Sequence, residues 1–388
     1  MNTSVDATDT STDPSTRIDF LYLSEPDMVA AGVTDMAACV DTMERMFRVL
    51  GAGDYRMAGK NADSHGAMVT FPDTPLFPRM PRNAEDRRFM AMPAYLGGDF
   101  HAAGVKWYGS NVENKKSGLP RSIHLFVLND VETGAPVALM SANLLSAMRT
   151  GAIPGVGARQ FAREDSRVVG IVGPGVMART ALQSFIVARP GIELVKVKGR
   201  GARGEQAFRE WAEREFPGLR VEIVATNEDA VRDADIVTYC TTSGGAPENY
   251  PELRREWVAP GAYLAMPSSV RLDEALLAPD VRTVVDNAGL YEAWADEFPY
   301  PTYASIPIVG CHFTDLIHEG RMAPEEMEDI GRILASGDGG RRSDEEIVLF
   351  SIGGMPVEDV AWATRVLANA RDRGIGTSLN LWDVPVLA

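Results

Sequence analysis

The sequence predicts an α/β chain in which a doubly wound parallel sheet is inserted into an α+β domain. Three observations carry that expectation. A Gly-x-Gly-x-x-Ala segment directly follows a short apolar run and opens a helical pattern. Apolar strand-like runs then alternate with helical patterns through residues 168–286, the rhythm of parallel strands joined by crossover helices. Residues 1–145 lack that rhythm and carry antiparallel hairpin signals instead.

The whole chain sets the bounds. With 388 residues and 45% hydrophobic content it can build two domains with cores of their own. Its net charge of -16 is spread along the chain, which argues against nucleic acid or an anionic membrane surface as partner. The three cysteines, Cys39, Cys240 and Cys311, are too few and too far apart for a disulfide framework, so a reduced, cytoplasmic compartment is expected. No apolar run approaches the roughly 20 residues of a membrane span. The first 17 residues are rich in Ser, Thr and Asp and have no apolar stretch of the signal-peptide kind. They read as a disordered tail.

Structure is expected from Ile18. In TDMAACVDTMERMFRVLGAGD, Met36, Val40, Met43, Phe47 and Leu50 recur at spacings of four and three, one apolar helix face, with Thr34 as N-cap and Gly51 past the end. Short extended runs follow at 68–71, 89–95 and 104–108, the first two separated by the Pro- and Arg-rich FPDTPLFPRMPRNAEDRR, a loop insertion. IHLFVLND, the turn VETGAP and VALMS form a hairpin. A helix over 142–162 leads to strands at 168–172, 194–197, 221–224, 236–239, 263–266 and 283–286, with helices such as 176–188 and 205–215 between them. After the Gly-rich ASGDGGRRSD come a last strand at 347–350 and a long helix from Pro356. That strand is expected to join the sheet of the first domain. The resulting division is a tail at 1–17, a first domain from 18–145 plus 345–388, and the doubly wound unit at 146–344.

The sharpest local signal is VVGIVGPGVMARTALQSF, with Gly173, Gly175 and Ala178 in the Rossmann fingerprint. The first glycine permits the tight turn, the second lets backbone approach a pyrophosphate, and the small third residue lets the helix sit close to the sheet. Pro174, Val176 and Met177 complete the loop; Cys240, Thr241 and Thr242, at and after the end of the fourth parallel strand, are candidates to line the same cleft, with a buried small hydrophobe the favoured alternative for Cys240. Cofactor choice falls to the end of the second strand, where Lys198, Arg200 and Arg203 stand in ELVKVKGRGARG and no acid follows the strand directly. A ribose 2′-hydroxyl calls for a carboxylate there and a 2′-phosphate for cations. NADP(H) is therefore favoured, with NAD(H) as the alternative.

Several further segments resemble the ornithine cyclodeaminase/μ-crystallin family: NLLSAMRTGAIPGVGARQFA, MPAYLGG followed by GVKWYGSNVENKKSGLP, the fingerprint GIVGPGVMA, and LFSIGGMPVEDVAWA. The resemblance runs over about 30–370. It implies a homodimer whose first domain binds substrate and dimerises, with the Rossmann domain inserted in it. It also implies that a substrate carboxylate is held by Arg56, Lys106 and Arg149, with Thr150 beside the last. Arginine offers a carboxylate two parallel bonds. Lys106 would transfer the proton that accompanies hydride transfer at a C–N bond, given a pKa lowered by its arginine neighbours. The long N-terminus and the insertion near 72–88 resemble a bacterial subgroup named for the second component of a tyramine oxidase, which implies an amine substrate or a partner enzyme.

One departure bears on the reaction. Cyclodeaminases of the family carry an acid after the fifth Rossmann strand; in AMPSSVRLDEAL that place holds Ser268, Ser269 or Val270, and Asp273 lies beyond. Ser269 is expected either to touch substrate or to cap the turn. The five histidines show no metal-binding spacing, so no metal is expected. Ser64-His65 has no visible third partner for nucleophilic catalysis, and Glu358 and Asp359 are read as acids suited to a helix N-terminus. The expectation is an NAD(P)(H)-dependent oxidoreductase, an imine reductase or an amine or amino-acid dehydrogenase. Ornithine cyclodeamination, or cofactor binding without catalysis, are the alternatives.

Overall fold

The computed structural model describes residues 16–241, 249–337 and 339–387. The first part of the chain runs β1 (Ile18–Leu23), α1 (Glu25–Ala30), α2 (Met36–Gly51), β2 (Tyr55–Met57), β3 (Ala67–Val69), β4 (Arg88–Leu96), β5 (Ala102–Ser110), β6 (Ser122–Asn129) and β7 (Pro136–Ser141). Helix α3 (Asn143–Phe161) leads to β8 (Val168–Val172), α4 (Val176–Ala188), β9 (Leu194–Lys198), α5 (Ala202–Glu215), β10 (Arg220–Ile223), α6 (Asn227–Val231) and β11 (Ile236–Tyr239). Then come β12 (Glu252–Leu253), β13 (Tyr263–Met266), β14 (Arg271–Leu272), β15 (Val281–Val285), α7 (Ala288–Glu297), α8 (Thr302–Ser305) and α9 (Val309–His318). The chain finishes with β16 (Met327–Asp329), α10 (Ile330–Ser336), β17 (Ile347–Ser351), α11 (Pro356–Asp372) and β18 (Thr377–Trp382).

Two eight-stranded sheets organise these elements. One is mostly antiparallel, in the order β18-β1-β7-β6-β5-β4-β2, with β3 also on β4. The other is parallel throughout, in the order β10-β9-β8-β11-β13-β17-β15-β16. Strand order reverses in the parallel sheet between β8 and β11, the switch point where such sheets bind ligands at their carboxyl ends. The predicted α/β fold, a doubly wound Rossmann sheet within an α+β chain, is the observed one.

Strand β17 corrects an expectation. It lies between β13 and β15 in the parallel sheet rather than in the first domain. All five of its residues are buried, as a central parallel strand covered on both faces requires. Only α11 and β18 return to the antiparallel sheet: α11 packs on β4, β5 and β6, and β18 pairs with β1. Thr16 and Arg17, assigned to the tail, contact Asp383 beyond β18. The N-cap of α2 is Asp35, not Thr34; its carboxylate accepts from the Ala38 amide at 3.0 Å. The buried face of α2 includes Met36, Val40, Met43, Phe47 and Leu50 as spaced in the sequence, with Cys39, Thr42 and Met46 buried beside them.

Helix α3 couples the two halves. A side chain at Gly151 would come within 2.2 Å of Thr180 on α4, so the glycine lets the two helices approach to near backbone contact. The first turns of α3 carry Ser146 and Arg149 toward the antiparallel sheet, while its later turns lie against the Rossmann helix.

Candidate functional site

Two features lie along the carboxyl edge of the parallel sheet. The first is a cleft of about 980 Å³ at the switch point, lined by Gly173, Pro174, Gly175, Lys198, Arg200, Arg203, Cys240 and Thr241. Gly173 has φ +95°, and a Cβ there would stand 2.8 Å from the Cys240 carbonyl. Gly175 caps α4 without a side-chain hydrogen bond, and space beside its Cα is open for 4 Å. The first-turn amides of α4, at Val176 and Met177, therefore have no side-chain partner at the cap. Such an N-terminus suits a pyrophosphate, so these residues fit a dinucleotide. Val176 is 67% exposed, while Ala178 is buried against the sheet. Cys240 is buried, and its amide donates to Val172 at 2.8 Å. Thr242 lies outside the described residues.

The turn after β9 holds an acid that its sequence position hid. Glu205, in the first turn of α5, folds back to accept from the Gly199 amide at 2.8 Å and from Lys198 Nζ at 3.4 Å. It is buried, whereas Arg200 and Arg203 are exposed at the cleft. The turn thus keeps a cationic rim around a carboxylate already engaged by backbone.

The second feature is a buried cluster of four charges. Lys106 points inward from the middle of β5, and its Nζ donates to Asp359 at 2.8 Å and Ser146 Oγ at 3.2 Å. Arg149 Nε donates to the other Asp359 oxygen at 3.0 Å, and its Nη1 pairs with Glu358. Both acids are fully buried in the first turn of α11. They arrive there because Gly354, at φ +78°, turns the chain after β17, and Asp286 accepts the amides of Gly353 and Gly354 at 2.7 and 2.9 Å. The Met355 amide then donates to Glu358 at 2.9 Å. His65 Nδ1 donates to the Gly354 carbonyl at 2.8 Å, closing the site beside Trp294.

Burial and neighbouring charge set the protonation of the cluster. Burial, reinforced by Arg149, lowers the Lys106 pKa to about 8, against the pull of Asp359. Burial raises Glu358 to about 7 despite Arg149. For Asp359, burial works the other way but Arg149 and Lys106 outweigh it, so its pKa stays below the usual value. Arg149 remains a cation, burial being overcome by Asp359 and Glu358. Burial next to Lys106 lowers His65 to about 3, and His124 is lowered in the same way to about 4. A lysine near pKa 8 can give or take a proton close to neutrality.

The structure joins Lys106 and Arg149 but does not bring Arg56 to them. Arg56 pairs across β2 and β4 with Tyr95, whereas Lys106 pairs with Met92. Odd and even positions of β4 face opposite sides of the sheet, so Arg56 stands on the outer face. There it is exposed and donates to the Gly53 and Tyr55 carbonyls. Thr150 is half-buried on α3, turned away from Arg149 by one residue. Ser269 is buried in the loop after β13, and its carbonyl accepts from Thr241 Oγ1 at 3.4 Å. Ser268 Oγ accepts from the Thr241 amide at 3.1 Å and donates to the Tyr239 carbonyl at 2.6 Å, pinning β13 to β11. Asp273 is a cap, accepting from the Ala275 amide. Among the described residues no group of three or more His, Cys, Asp or Glu side chains is placed to hold a metal ion. No described helix is long and apolar enough to cross a membrane.

Glu358, Asp359, Ser146, His65 and His124 are the members of this site that the sequence did not disclose. A signal existed for the two acids. They interrupt PVEDVAWA, where Val357, Val360, Ala361 and Trp362 leave no polar face for them, so carboxylates there need buried cations.

A dinucleotide cleft and a buried lysine and arginine, both at the carboxyl edge of the parallel sheet, define a chain built for chemistry next to a nucleotide cofactor. The chain belongs to the ornithine cyclodeaminase/mu-crystallin family, whose model matches residues 32–374. It is 26% identical over 372 residues to N-((2S)-2-amino-2-carboxyethyl)-L-glutamate dehydrogenase of Staphylococcus aureus, covering 94% of this chain and 99% of the other. The Thermococcus litoralis Δ(1)-pyrroline-2-carboxylate reductase in complex with NADH and L-proline superposes with a TM-score of 0.73 at 26% identity, covering 92% and 99% of the two chains. An archaeal alanine dehydrogenase dimer with bound NAD gives 0.74 at 26% identity over 94% and 100%.

Proposed function

We propose that this protein is an NAD(P)(H)-dependent oxidoreductase acting on the C–N or C=N bond of a small amino or imino acid. The observation that carries the reading is the buried Lys106–Asp359–Arg149 bridge on the carboxyl edge of a dinucleotide-binding sheet. Two solved relatives hold NADH or NAD, and reductases and dehydrogenases of such substrates are named among the relatives, with an ornithine cyclodeaminase beside them. The bound nicotinamide supplies or accepts the hydride. Arg149 binds the substrate carboxylate, and Lys106, held by Asp359, gives the nitrogen its proton in reduction or takes it in oxidation. Deamination is disfavoured: the loop after β13 offers Ser268, Ser269 and Val270, with the Ser268 hydroxyl engaged by backbone and Asp273 serving as a cap.

NADP(H) is the favoured cofactor, because Arg200 and Arg203 are exposed at the ribose end of the cleft while Glu205 is engaged by the Gly199 amide. The working unit is a homodimer closed through the outer face of the antiparallel sheet, where Phe89, Trp107, Ile123 and Leu125 are each more than 40% exposed. An apolar face of that kind marks an interface. The test is NADPH oxidation with 2-oxo acids plus ammonia and with cyclic ketimines. Turnover that disappears in Lys106→Ala supports the reading. Tight cofactor binding without turnover, or ammonia and proline formed from ornithine, contradicts it.

A further inference from the structure

The inner face of the antiparallel sheet continues past Lys106 into a second set of cations. Cross-strand pairing places Lys106 opposite Met92, Tyr108 opposite Met90 and His124, and Ser110 opposite Arg88 and Ser122. These positions share one face. Tyr108 serves both ends of the row: Lys106 Nζ lies 5.9 Å from its ring centre and Arg88 Cζ 6.0 Å. Met90, Met92 and Tyr108 form a small apolar cluster of their own between the two cations.

At the far end, Asp86 pairs with Arg88 and, at 3.0 Å, with Arg121. One carboxylate between two guanidiniums leaves a positive charge in excess. Arg88 Nε is buried without a hydrogen-bond partner, and so are both ring nitrogens of His124, whose ring lies 4.7 Å from that of Tyr108. Such buried polar atoms without partners are costly and point to a polar ligand. The loop is built to hold this end in place. Asp86 adopts φ +55°, and its carbonyl accepts from Ser110 Oγ at 2.6 Å. Asp86 and Arg88 close the PRMPRNAEDRR insertion, which the proposed reaction leaves without a role.

We propose that Arg88 and Arg121 hold a second carboxylate of the substrate, so that the protein acts on a dicarboxylic amino or imino acid. The first carboxylate sits at Arg149, the methylenes cross the Met90–Met92–Tyr108 floor, and the distal carboxylate meets the Arg88 guanidinium beside His124. This rests on the carboxylate anchor of the proposed function and narrows its substrate class.

The test is calorimetric titration of the cofactor-loaded protein, without ammonia, using 2-oxoglutarate and oxaloacetate against pyruvate and 2-oxobutyrate. The dicarboxylates are expected to bind at least about tenfold tighter. Arg88→Met should remove that preference, weakening them about 10- to 100-fold with pyruvate binding unchanged, and Arg88→Lys should restore part of it. Equal or weaker binding of dicarboxylates by the wild-type protein overturns the distal site alone. So does undiminished dicarboxylate binding in Arg88→Met. Binding of none of the four acids overturns the distal site together with the Arg149 anchor.

Discussion

Lys106 and Asp359, 253 residues apart in the chain, are joined at 2.8 Å in an interior where neither side chain is more than 2% exposed. The same carboxylate receives Arg149 through its second oxygen. One aspartate thereby fixes the spacing of the two cations proposed to act on substrate and keeps the lysine pKa from falling further. A buried charge pair adds little net stability against an apolar alternative, yet removing one partner is costly. Its role is best read as positioning.

Asp359→Asn should therefore affect both stability and chemistry. Two buried cations would be left with Glu358 alone, and breaking a buried pair of this kind costs about 3–5 kcal/mol. Denaturant unfolding would measure that loss. The Lys106 pKa should drop, since Asp359 raises it more than Glu358 does, moving the lysine limb of the rate profile to lower pH.

The pH dependence of the wild-type enzyme should carry that limb near 8. In the direction of amine oxidation Lys106 must be neutral, so kcat/KM rises with pH and levels off above about 8. In reduction the lysine must be charged, and kcat/KM falls above the same value. A limb that stays in place in Lys106→Arg would assign it to another group.

His65 should make the fold acid-sensitive. Its pKa is lowered from 6.5 to about 3 by burial, so between these values the unfolded chain binds the extra proton and stability falls as pH falls. Glu358 and Asp286, raised to about 7 and about 6, act oppositely and lose their contribution as pH rises through those values. The difference between wild type and His65→Gln isolates the histidine. It should shift against the wild type by up to about 1.4 kcal/mol per pH unit from 6.5 downward.

Arg200→Ala should weaken NADPH about 10- to 100-fold and leave NADH within a few-fold, as expected for loss of a charge-assisted contact to a 2′-phosphate. Fluorescence titration with both cofactors checks this. Equal losses for the two would assign Arg200 to the shared part of the dinucleotide.

Trp107→Glu should yield a monomer by light scattering. The indole stacks on Phe89 at 5.9 Å on the outer sheet face, where a carboxylate would have to be desolvated if a second copy covers it. An unchanged mass would place the interface elsewhere.

The parallel strands were legible because each is a short apolar run bounded by glycine or polar turns, and the fingerprint lies where strand, turn and helix meet. Membership of a sheet was harder. IVLFS has the composition of any buried strand, and only packing between β13 and β15 assigns it. β1 and β18 pair across more than 350 residues of sequence, beyond the reach of any local pattern. Arg56, matched by resemblance, lies on the face opposite Lys106: a strand's side chains alternate, so one position of register decides which face a charge reaches. Asp359 fits a helix N-terminus equally well on dipole grounds, and only the approach of β5 and α3 reveals its partners.

The most direct measurement of the proposed reaction follows the hydride itself. C4-deuterated NADPH is incubated with the protein, a 2-oxo acid and ammonia, and the product is examined by mass spectrometry. The expected product is an amino acid carrying deuterium at its α-carbon, with none formed by Lys106→Ala. Product without deuterium, or ornithine converted to proline while the label stays in the cofactor, would contradict it.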